Sequence, residues 1–365
     1  MTELSDLPIR DDLKGQTPYG APQIHVPVQL NVNENTHGIP ADVVADIVAE
    51  VARAVAGANR YPDREFTELR EALAGYLGHG LDADRLWAAN GSNEVIQQFL
   101  QAFGGPGRSV LAFPPTYSMH PLLTAANHSR WVPAERGPDW EITPELAVAA
   151  IQRERPDIVL LCKPNNPTGT ALGLDVIEAA YGAHPGMLLV DEAYAEFEEG
   201  PSALSLLPGR PRLVVSRTMS KAFAFAGVRV GYLAADPAVV DAFRLVRLPY
   251  HLSALTQAAA VAALRHAPEM LAQVDAIKAE RDRMIRELPA LGYRPWPSEA
   301  NFVLFGGVPD PQRTFRGLLE RGVIVRDVGI PHALRVTAGT PEETDVLLGA
   351  LAGTPEETDV LLGAL

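Results

Sequence analysis

Short apolar runs alternate with helical patterns along most of the chain from residue 41 onward. The clearest runs lie at 86–90 (LWAAN), 109–113 (SVLAF), 158–162 (IVLLC), 187–190 (MLLV), 213–216 (LVVS) and 230–235 (VGYLAA). Strands that alternate with helices are typical of a parallel sheet covered by helices. The pattern therefore predicts an α/β fold with a mostly parallel central sheet.

The pattern changes in the last third of the chain. Residues 266–288 have the spacing of one long amphipathic helix, and strand-like runs at 301–305 and 322–327 enclose a helical stretch near 311–321. This mixture predicts a second, smaller α+β domain. The start of the chain is rich in Pro, Asn and Gly, which predicts an arm that belongs with the small domain. Arm, large domain, small domain and tail are placed at 1–40, 41–250, 251–351 and 352–365.

The tail is a repeat. The sequence at 338–351 occurs again, letter for letter, at 352–365. In the first copy Thr340, the following proline and Glu343 have the spacing of a helical capping box. Two short copies are too few for a solenoid, so we interpret the repeat as a recent tandem duplication or a sequencing artefact and assign the second copy no function.

Composition excludes several classes of partner. The chain of 365 residues has 31 Lys+Arg against 45 Asp+Glu and a net charge of −14, the opposite sign from proteins that bind nucleic acid or anionic membranes. Its longest apolar run, at 258–264, is far shorter than the ~20 residues that span a bilayer. The single cysteine, Cys162, and the absence of zinc-ligand spacing disfavour a disulfide scaffold and a metal site. We expect a cytoplasmic protein.

Candidate chemistry lies directly after the apolar runs, where ligands bind to open α/β sheets. Ser92 and Asn93 begin a helical stretch, whose N-terminus attracts anions such as phosphate, although a turn followed by a helix is common. Tyr117 could lie flat against an aromatic ring or belong to the core. Lys221 by itself could be a surface lysine.

Further polar residues follow the next runs in order. Asn166 lies in the turn KPNNPTG, and Asp191 directly follows an apolar run, where a buried carboxylate needs a partner. The run at 213–216 is followed by RTMSKAFAFAGVRVGY, which contains Lys221 and Arg229.

Three of these stretches, PNNPTG, VDEAYAEF and SRTMSKAFAFAGVRVGY, closely resemble the fold-type-I pyridoxal-phosphate aminotransferases. Others, including NRYPDREFTELREAL, AANGSNEVIQQFLQAFGGPGR and RDVGIPHALRVTAGTPEE, look like the histidinol-phosphate aminotransferase family. The resemblance covers residues 7–351. It implies the fold of type I pyridoxal-phosphate-dependent transferases, pyridoxal 5′-phosphate as cofactor, and amino transfer between L-histidinol phosphate and 2-oxoglutarate in histidine biosynthesis.

The resemblance also implies roles around the cofactor ring. Lys221 resembles the lysine that bonds to the cofactor aldehyde and then moves the α proton of the substrate. Asp191 would pair with the pyridine nitrogen, and Asn166 and Tyr194 would hydrogen-bond the phenolate oxygen. Tyr117 would stack on the ring.

The cofactor phosphate would be bound by hydroxyl, amide and guanidinium groups from three segments. These are Ser92, Asn93, Thr218, Ser220 and Arg229.

In this family the active site is shared across a homodimer. Tyr61 resembles the tyrosine that reaches the partner's cofactor phosphate, and Arg335 the arginine that binds the anionic end of the substrate. Arg326, and Tyr19 from the arm of the other subunit, are further candidates at that end. Either could instead be a surface charge or an arm-packing tyrosine.

Two departures from the family pattern stand out. The chain reads NENTHG at 33–38 where relatives commonly have N-E-N-P, so it lacks a proline that stiffens the arm. Lys163 precedes PNNPTG where a small polar residue is usual, and we expect its amine to point to solvent.

Rival interpretations differ in substrate or in chemistry. An aromatic amino acid (phenylalanine) aminotransferase needs similar apolar walls, and a fold-type-I lyase or decarboxylase would need no 2-oxoglutarate. A cofactor-sensing regulator needs a basic DNA-binding module, for which the chain has no spare length. A nicotinamide enzyme is disfavoured because no G-x-G-x-x-G follows a strand.

Overall fold

The computed structural model describes residues 6–11, 14–15 and 20–353. Its strands are β1 Val28–Gln29, β2 Leu86–Ala89, β3 Ser109–Ala112, β4 Arg130–Pro133, β5 Ile158–Cys162, β6 Met187–Asp191, β7 Leu213–Thr218, β8 Gly231–Ala234, β9 Arg294–Pro295, β10 Phe302–Gly306, β11 Val323–Ile324 and β12 Ala333–Thr337. Tyr19 and nearly all of the second repeat lie outside the described residues.

Helices connect most of these strands. They are α1 Ala41–Ala56, α2 Thr67–Leu77, α3 Ser92–Phe103, α4 Met119–Ala126, α5 Pro144–Glu154, α6 Leu174–Ala183, α7 Pro237–Val246, α8 Ala254–Arg265, α9 Ala267–Leu271, α10 Val274–Glu287, α11 Pro311–Glu320 and α12 Pro341–Ala352. In this described part of the chain, no helix is both long enough and apolar enough to cross a membrane.

The central sheet has seven strands in the order β2-β8-β7-β6-β5-β3-β4. Strands β4, β3, β5, β6 and β7 run parallel, and β8 runs antiparallel to both of its neighbours. All residues of β5 and β7 are buried, which explains why these strands read as continuous apolar runs. The α/β fold and its mostly parallel sheet are confirmed. Strand β4, which is partly exposed at one edge, had no recognisable pattern.

Two smaller sheets form around a second apolar cluster. One is antiparallel, in the order β12-β10-β9, and the other is the parallel pair of β1 and β11. Val28 of the arm is paired with Val323, so the arm joins residues of the C-terminal third. This pairing supports grouping the arm with the small domain, although the domain limits stay predictions.

Two predictions of secondary structure in this region are wrong. The single helix expected at 266–288 is two helices, α9 and α10, because the chain tightens between them and the Ala272 N–H donates to the Glu269 carbonyl only three residues back. The strand expected at 322–327 is shortened to β11. Beyond it, Arg326 forms an isolated antiparallel bridge with Arg335.

The predicted capping box at the start of α12 is confirmed. The Thr340 side chain accepts from the Glu343 N–H, and the Glu343 carboxylate accepts from the Thr340 N–H. The local sequence alone therefore fixed where this helix begins.

Candidate active site

A cavity of about 580 Å³ opens where the carboxyl ends of β5, β6 and β7 meet the arm and the small sheets. Every predicted site residue that the structure describes lines it, except Tyr61. These lining residues are Ser92, Asn93, Tyr117, Asn166, Asp191, Tyr194, Thr218, Ser220, Lys221, Arg229, Arg326 and Arg335. The structure thus brings together side chains that the sequence spreads over more than two hundred residues.

Lys221 presents an amine to this cavity. Its Nζ donates to the Val32 carbonyl of the arm at 3.1 Å. Burial, helped by the positive charges of Arg335 and Arg229, lowers the pKa of Lys221 to about 8, against the opposing charge of Glu34. A larger share of uncharged amine is therefore present near neutral pH, and the uncharged amine is the nucleophilic form.

Asp191 is the last residue of β6 and is only 2% exposed. The Ser216 hydroxyl donates to its Oδ1 at 3.3 Å, and the His120 Nε2 lies 3.3 Å from its Oδ2. A buried carboxylate with these two partners is ready to bind a cationic N–H in the cavity. Sequence analysis missed His120, whose only signal was its position in the loop and helix that follow β3.

Two side-chain amides donate to the Tyr194 hydroxyl, and one of them, that of Asn166, also accepts a hydrogen bond from Arg335. The Tyr194 hydroxyl oxygen accepts from Asn33 Nδ2 at 2.9 Å and from Asn166 Nδ2 at 3.0 Å. Burial raises the pKa of Tyr194, so the hydroxyl keeps its proton. Because the oxygen already accepts two hydrogen bonds, the hydroxyl proton is what Tyr194 can offer to an acceptor in the cavity. Asn33 was missed by sequence analysis.

The start of α3 and Arg229 lie against each other because two glycines leave room. A Cβ on Gly91, which has φ +88°, would lie 2.2 Å from Arg229 Nη2. A Cβ on Gly231 would lie 2.1 Å from the Ser92 nitrogen. Backbone N–H groups at the start of α3 and a guanidinium therefore share one corner of the cavity, an arrangement that suits a phosphate.

Hydroxyl groups complete this corner. The Thr218 Oγ1 donates to the Ser220 Oγ at 3.0 Å, at the end of β7. The Tyr117 hydroxyl donates to Asn93 Oδ1 at 3.1 Å, and this bond ties the predicted stacking tyrosine to the start of α3. The donor set fits the phosphate and the ring of pyridoxal phosphate.

Two arginines form a different part of the cavity wall. The backbones of Arg326 and Arg335 exchange two hydrogen bonds of 2.9 Å, so the residues lie opposite each other. Arg335 Nη1 donates to Asn166 Oδ1 at 2.6 Å and Nη2 to the Asn31 carbonyl at 3.0 Å. Both arginines line the cavity, where their guanidinium groups can bind a second anion.

Tyr61 does not reach the cavity of its own chain. It is 81% exposed and stacks on Tyr250, with ring centroids 4.5 Å apart. The predicted contact of Tyr61 with a cofactor in another subunit stays a prediction.

The expectation for Lys163 is wrong. Its side chain is 1% exposed and its Nζ forms an ion pair with Glu198 Oε2 at 2.5 Å. The carboxylate offsets the cost of removing the ammonium from water. Lys163 therefore belongs to the interior below the site.

The described residues, 6–11, 14–15 and 20–353, contain no group of three His, Cys, Asp or Glu side chains placed to hold a metal ion.

Comparison with known proteins points to one family. The family model for aminotransferases of class I and II matches residues 26–351. The chain is 59% identical to the histidinol-phosphate aminotransferase of Paenarthrobacter aurescens, over 96% of each chain, and 56% identical to that of Thermobifida fusca, over 95% of each.

Solved structures agree with these relatives. The histidinol-phosphate aminotransferase of Sinorhizobium meliloti in complex with pyridoxal-5′-phosphate is 26% identical and has a TM-score of 0.80, covering 90% of this chain and 91% of that one. A putative histidinol-phosphate aminotransferase from Erwinia carotovora is 27% identical with a TM-score of 0.81, covering 91% and 97%.

Proposed function

We infer that this chain, which belongs to the class I and II aminotransferases and among them to the histidinol-phosphate aminotransferases, transfers the amino group of L-histidinol phosphate to 2-oxoglutarate. The products are imidazole acetol phosphate and L-glutamate, and the reaction belongs to histidine biosynthesis. The observation that carries the inference is one cavity that Lys221 shares with two separate cationic groups, Arg229 and Arg335, both of which add to burial in lowering the pKa of its amine. Arg229 suits the phosphate of the cofactor, and Arg335 suits the anionic end of a substrate.

The residues around Lys221 fit pyridoxal phosphate. When bound, this cofactor supplies an electron-withdrawing ring that stabilises the negative charge left when a substrate loses its α proton. Asp191 would hold the ring nitrogen protonated, while Asn166 and Tyr194 donate to the ring oxygen. Tyr117 would lie against the face of the ring.

Lys221 has two tasks in this proposal. Its Nζ would hold the cofactor covalently and, when released by the substrate amine, would act as the base that accepts the α proton of the substrate and later gives it up again. A pKa of about 8 keeps Nζ able to accept and to release a proton near neutral pH.

The phosphate of the cofactor would be bound by the start of α3, the end of β7 and the loop after it, and one guanidinium. The side chains are Ser92, Asn93, Thr218, Ser220 and Arg229.

Arg335 and Arg326 would bind the anionic end of each substrate. For histidinol phosphate this end is the phosphate ester, and for glutamate it is a carboxylate. A planar guanidinium can donate two parallel hydrogen bonds to either group, so one arginine can serve both half-reactions. Tyr19 of the partner subunit would add a hydroxyl at this end.

A homodimer with shared sites is part of the proposal. Tyr61 is exposed, Leu245 and Leu248 are 86% and 76% exposed, and Val48 of α1 is also exposed. Exposed apolar side chains of this kind are typical of an interface between proteins. Tyr61 would reach the cofactor phosphate of the partner subunit.

Mixed dimers test the shared site. We expect Lys221→Ala to be inactive and Tyr61→Ala to be weakened at limiting cofactor. A mixed dimer of the two variants contains one site in which both residues are native, so mixing should restore activity above the sum of the parents. No gain after verified subunit exchange would place Tyr61 outside the shared site.

The substrate is tested by a single half-reaction. Cofactor-loaded enzyme is mixed with L-histidinol phosphate alone, and in parallel with L-phenylalanine, while the absorbance of the bound cofactor is recorded. We expect a rapid change with histidinol phosphate that 2-oxoglutarate reverses. A faster change with phenylalanine would make the enzyme an aromatic amino acid aminotransferase, and a change that 2-oxoglutarate does not reverse would favour a lyase or decarboxylase.

A cytoplasmic location is also proposed. The single cysteine, Cys162, is buried and has no disulfide partner in a chain with one cysteine, as suits a reducing compartment.

A further inference from the structure

Three carboxylates, of Glu34, Asp191 and Asp327, line the otherwise cationic cavity. Asp191 is bonded to His120 and Ser216, as described above. Asp327 accepts from Gln312 Nε2 at 2.5 Å and from the Gly329 N–H at 2.8 Å. Glu34 is an exposed residue at the wall of the cavity, its carboxylate makes no hydrogen bond and no ion pair within residues 6–11, 14–15 and 20–353, and its charge acts on the Lys221 amine.

The arm limits how far Glu34 can lie from the substrate arginine Arg335. The Asn31 carbonyl accepts from Arg335, and the next carbonyl, of Val32, accepts from the Lys221 amine. The arm therefore runs from the anion-binding arginine past the reactive lysine. Glu34 is three residues beyond Asn31, a reach of at most about 10 Å.

The substrate has a matching shape. In histidinol phosphate the amine-bearing carbon carries the phosphate ester on one arm and the imidazole on the other. With the phosphate on Arg335 and the amine-bearing carbon at Lys221, a ring that extends away from Arg335 would lie on the side of the lysine toward which the arm continues to Glu34. A neutral imidazole offers one N–H donor, and a protonated one, with an ordinary pKa of about 6.5, offers two and a positive charge.

We propose that Glu34 recognises the imidazole ring of the substrate by accepting a hydrogen bond from its N–H. This inference rests on the proposed function, because it takes histidinol phosphate as the amino donor. It makes Glu34 a specificity residue in the arm.

Measurements with the second substrate pair, glutamate and 2-oxoglutarate, distinguish this specificity role from a purely structural role. Glutamate and 2-oxoglutarate carry a carboxylate on the arm where histidinol phosphate carries its ring, and Glu34 repels that carboxylate. The residue therefore favours one substrate and disfavours the other. A residue that only shapes the cavity, or only adjusts Lys221, would affect both half-reactions in the same direction.

The test is Glu34→Gln in the cofactor-loaded enzyme, with both half-reactions measured. Loss of a charged hydrogen bond predicts a rise of about tenfold or more in KM for histidinol phosphate. The KM for 2-oxoglutarate should be unchanged or lower. Asp327→Asn removes the same charge from the same cavity, but from a carboxylate with partners, and should not raise the KM for histidinol phosphate.

Two results would overturn the inference while the proposed function stands: a KM for histidinol phosphate within about twofold of the native value, or an equal rise for both substrates. Failure of the native enzyme to use histidinol phosphate would overturn the proposed function, and the inference with it.

Discussion

The two ends of the cavity are built in different ways. The cofactor end is formed at the carboxyl ends of three neighbouring parallel strands: Asn166 follows β5, Asp191 ends β6 and Thr218 ends β7. The substrate end is assembled from distant segments, and Arg335 bonds to the Asn31 carbonyl across 304 positions of sequence. The sheet thus fixes the geometry of the cofactor end, whereas the geometry of the substrate end depends on how the arm and the small sheets meet.

This difference predicts different kinetic consequences. Groups at the cofactor end act on every amino donor, so their loss should lower kcat in both half-reactions. Groups at the substrate end bind particular anions or rings, so their loss should act mainly on KM.

The largest effect is expected for Lys221→Ala at the cofactor end. The variant lacks the amine that bonds to the cofactor and moves the α proton, so kcat should fall by at least about 10²- to 10⁴-fold for both substrates. Borohydride should trap no cofactor on the chain, as shown by peptide mass spectrometry. Lys278→Ala, which removes a lysine paired with Glu199 at the surface, is the control and should behave like the native enzyme. Appreciable turnover by Lys221→Ala would contradict the assignment.

A smaller effect is expected for Arg335→Lys at the substrate end. Lysine keeps the charge but loses the two-pronged donor and the contacts to Asn31 and Asn166, so KM should rise about 10- to 100-fold for histidinol phosphate and for 2-oxoglutarate. Steady-state kinetics measures the change, with the exposed Arg294→Lys as control. A fall in kcat with unchanged KM would assign Arg335 to the cofactor end and contradict the claim that residues at the substrate end act mainly on KM.

The smallest effect is a pH dependence at the cofactor end. Only the uncharged Lys221 amine bonds to an aldehyde, so the rate at which cofactor-free protein captures pyridoxal phosphate should rise about tenfold per pH unit below the pKa. It should level off above the pKa of about 8. Borohydride trapping at each pH measures the rate, and Nα-acetyl-lysine treated in parallel corrects for titration of the cofactor. A rise that continues to pH ~10, as for an ordinary lysine, would show that Arg335 and burial do not act on this amine.

The difference between the two ends of the cavity also explains which features could be predicted from the sequence. Asp191, Thr218 and Asn166 were predictable because each lies within four residues of the end of an apolar run, and the ends of parallel strands meet at one edge of a sheet. The capping box of α12 was predictable for a similar reason, since its two partners are three residues apart.

Other features depend on partners far away in sequence. Asn33 bonds to Tyr194 across 161 positions and His120 to Asp191 across 71, and no local pattern marks either pair. Lys163 was wrongly expected in solvent because its buried partner, Glu198, is 35 residues away. Sequence patterns report local geometry, and long-range pairing has to be seen in the fold.

Transfer of labelled nitrogen tests the central claim most directly. Cofactor-loaded enzyme is incubated with L-histidinol phosphate labelled with ¹⁵N at its amine and with 2-oxoglutarate, and the products are separated and weighed by mass spectrometry. The account predicts ¹⁵N in glutamate, one glutamate for each imidazole acetol phosphate, and no transfer by Lys221→Ala. Label released as ammonium, or no label in glutamate, would contradict it.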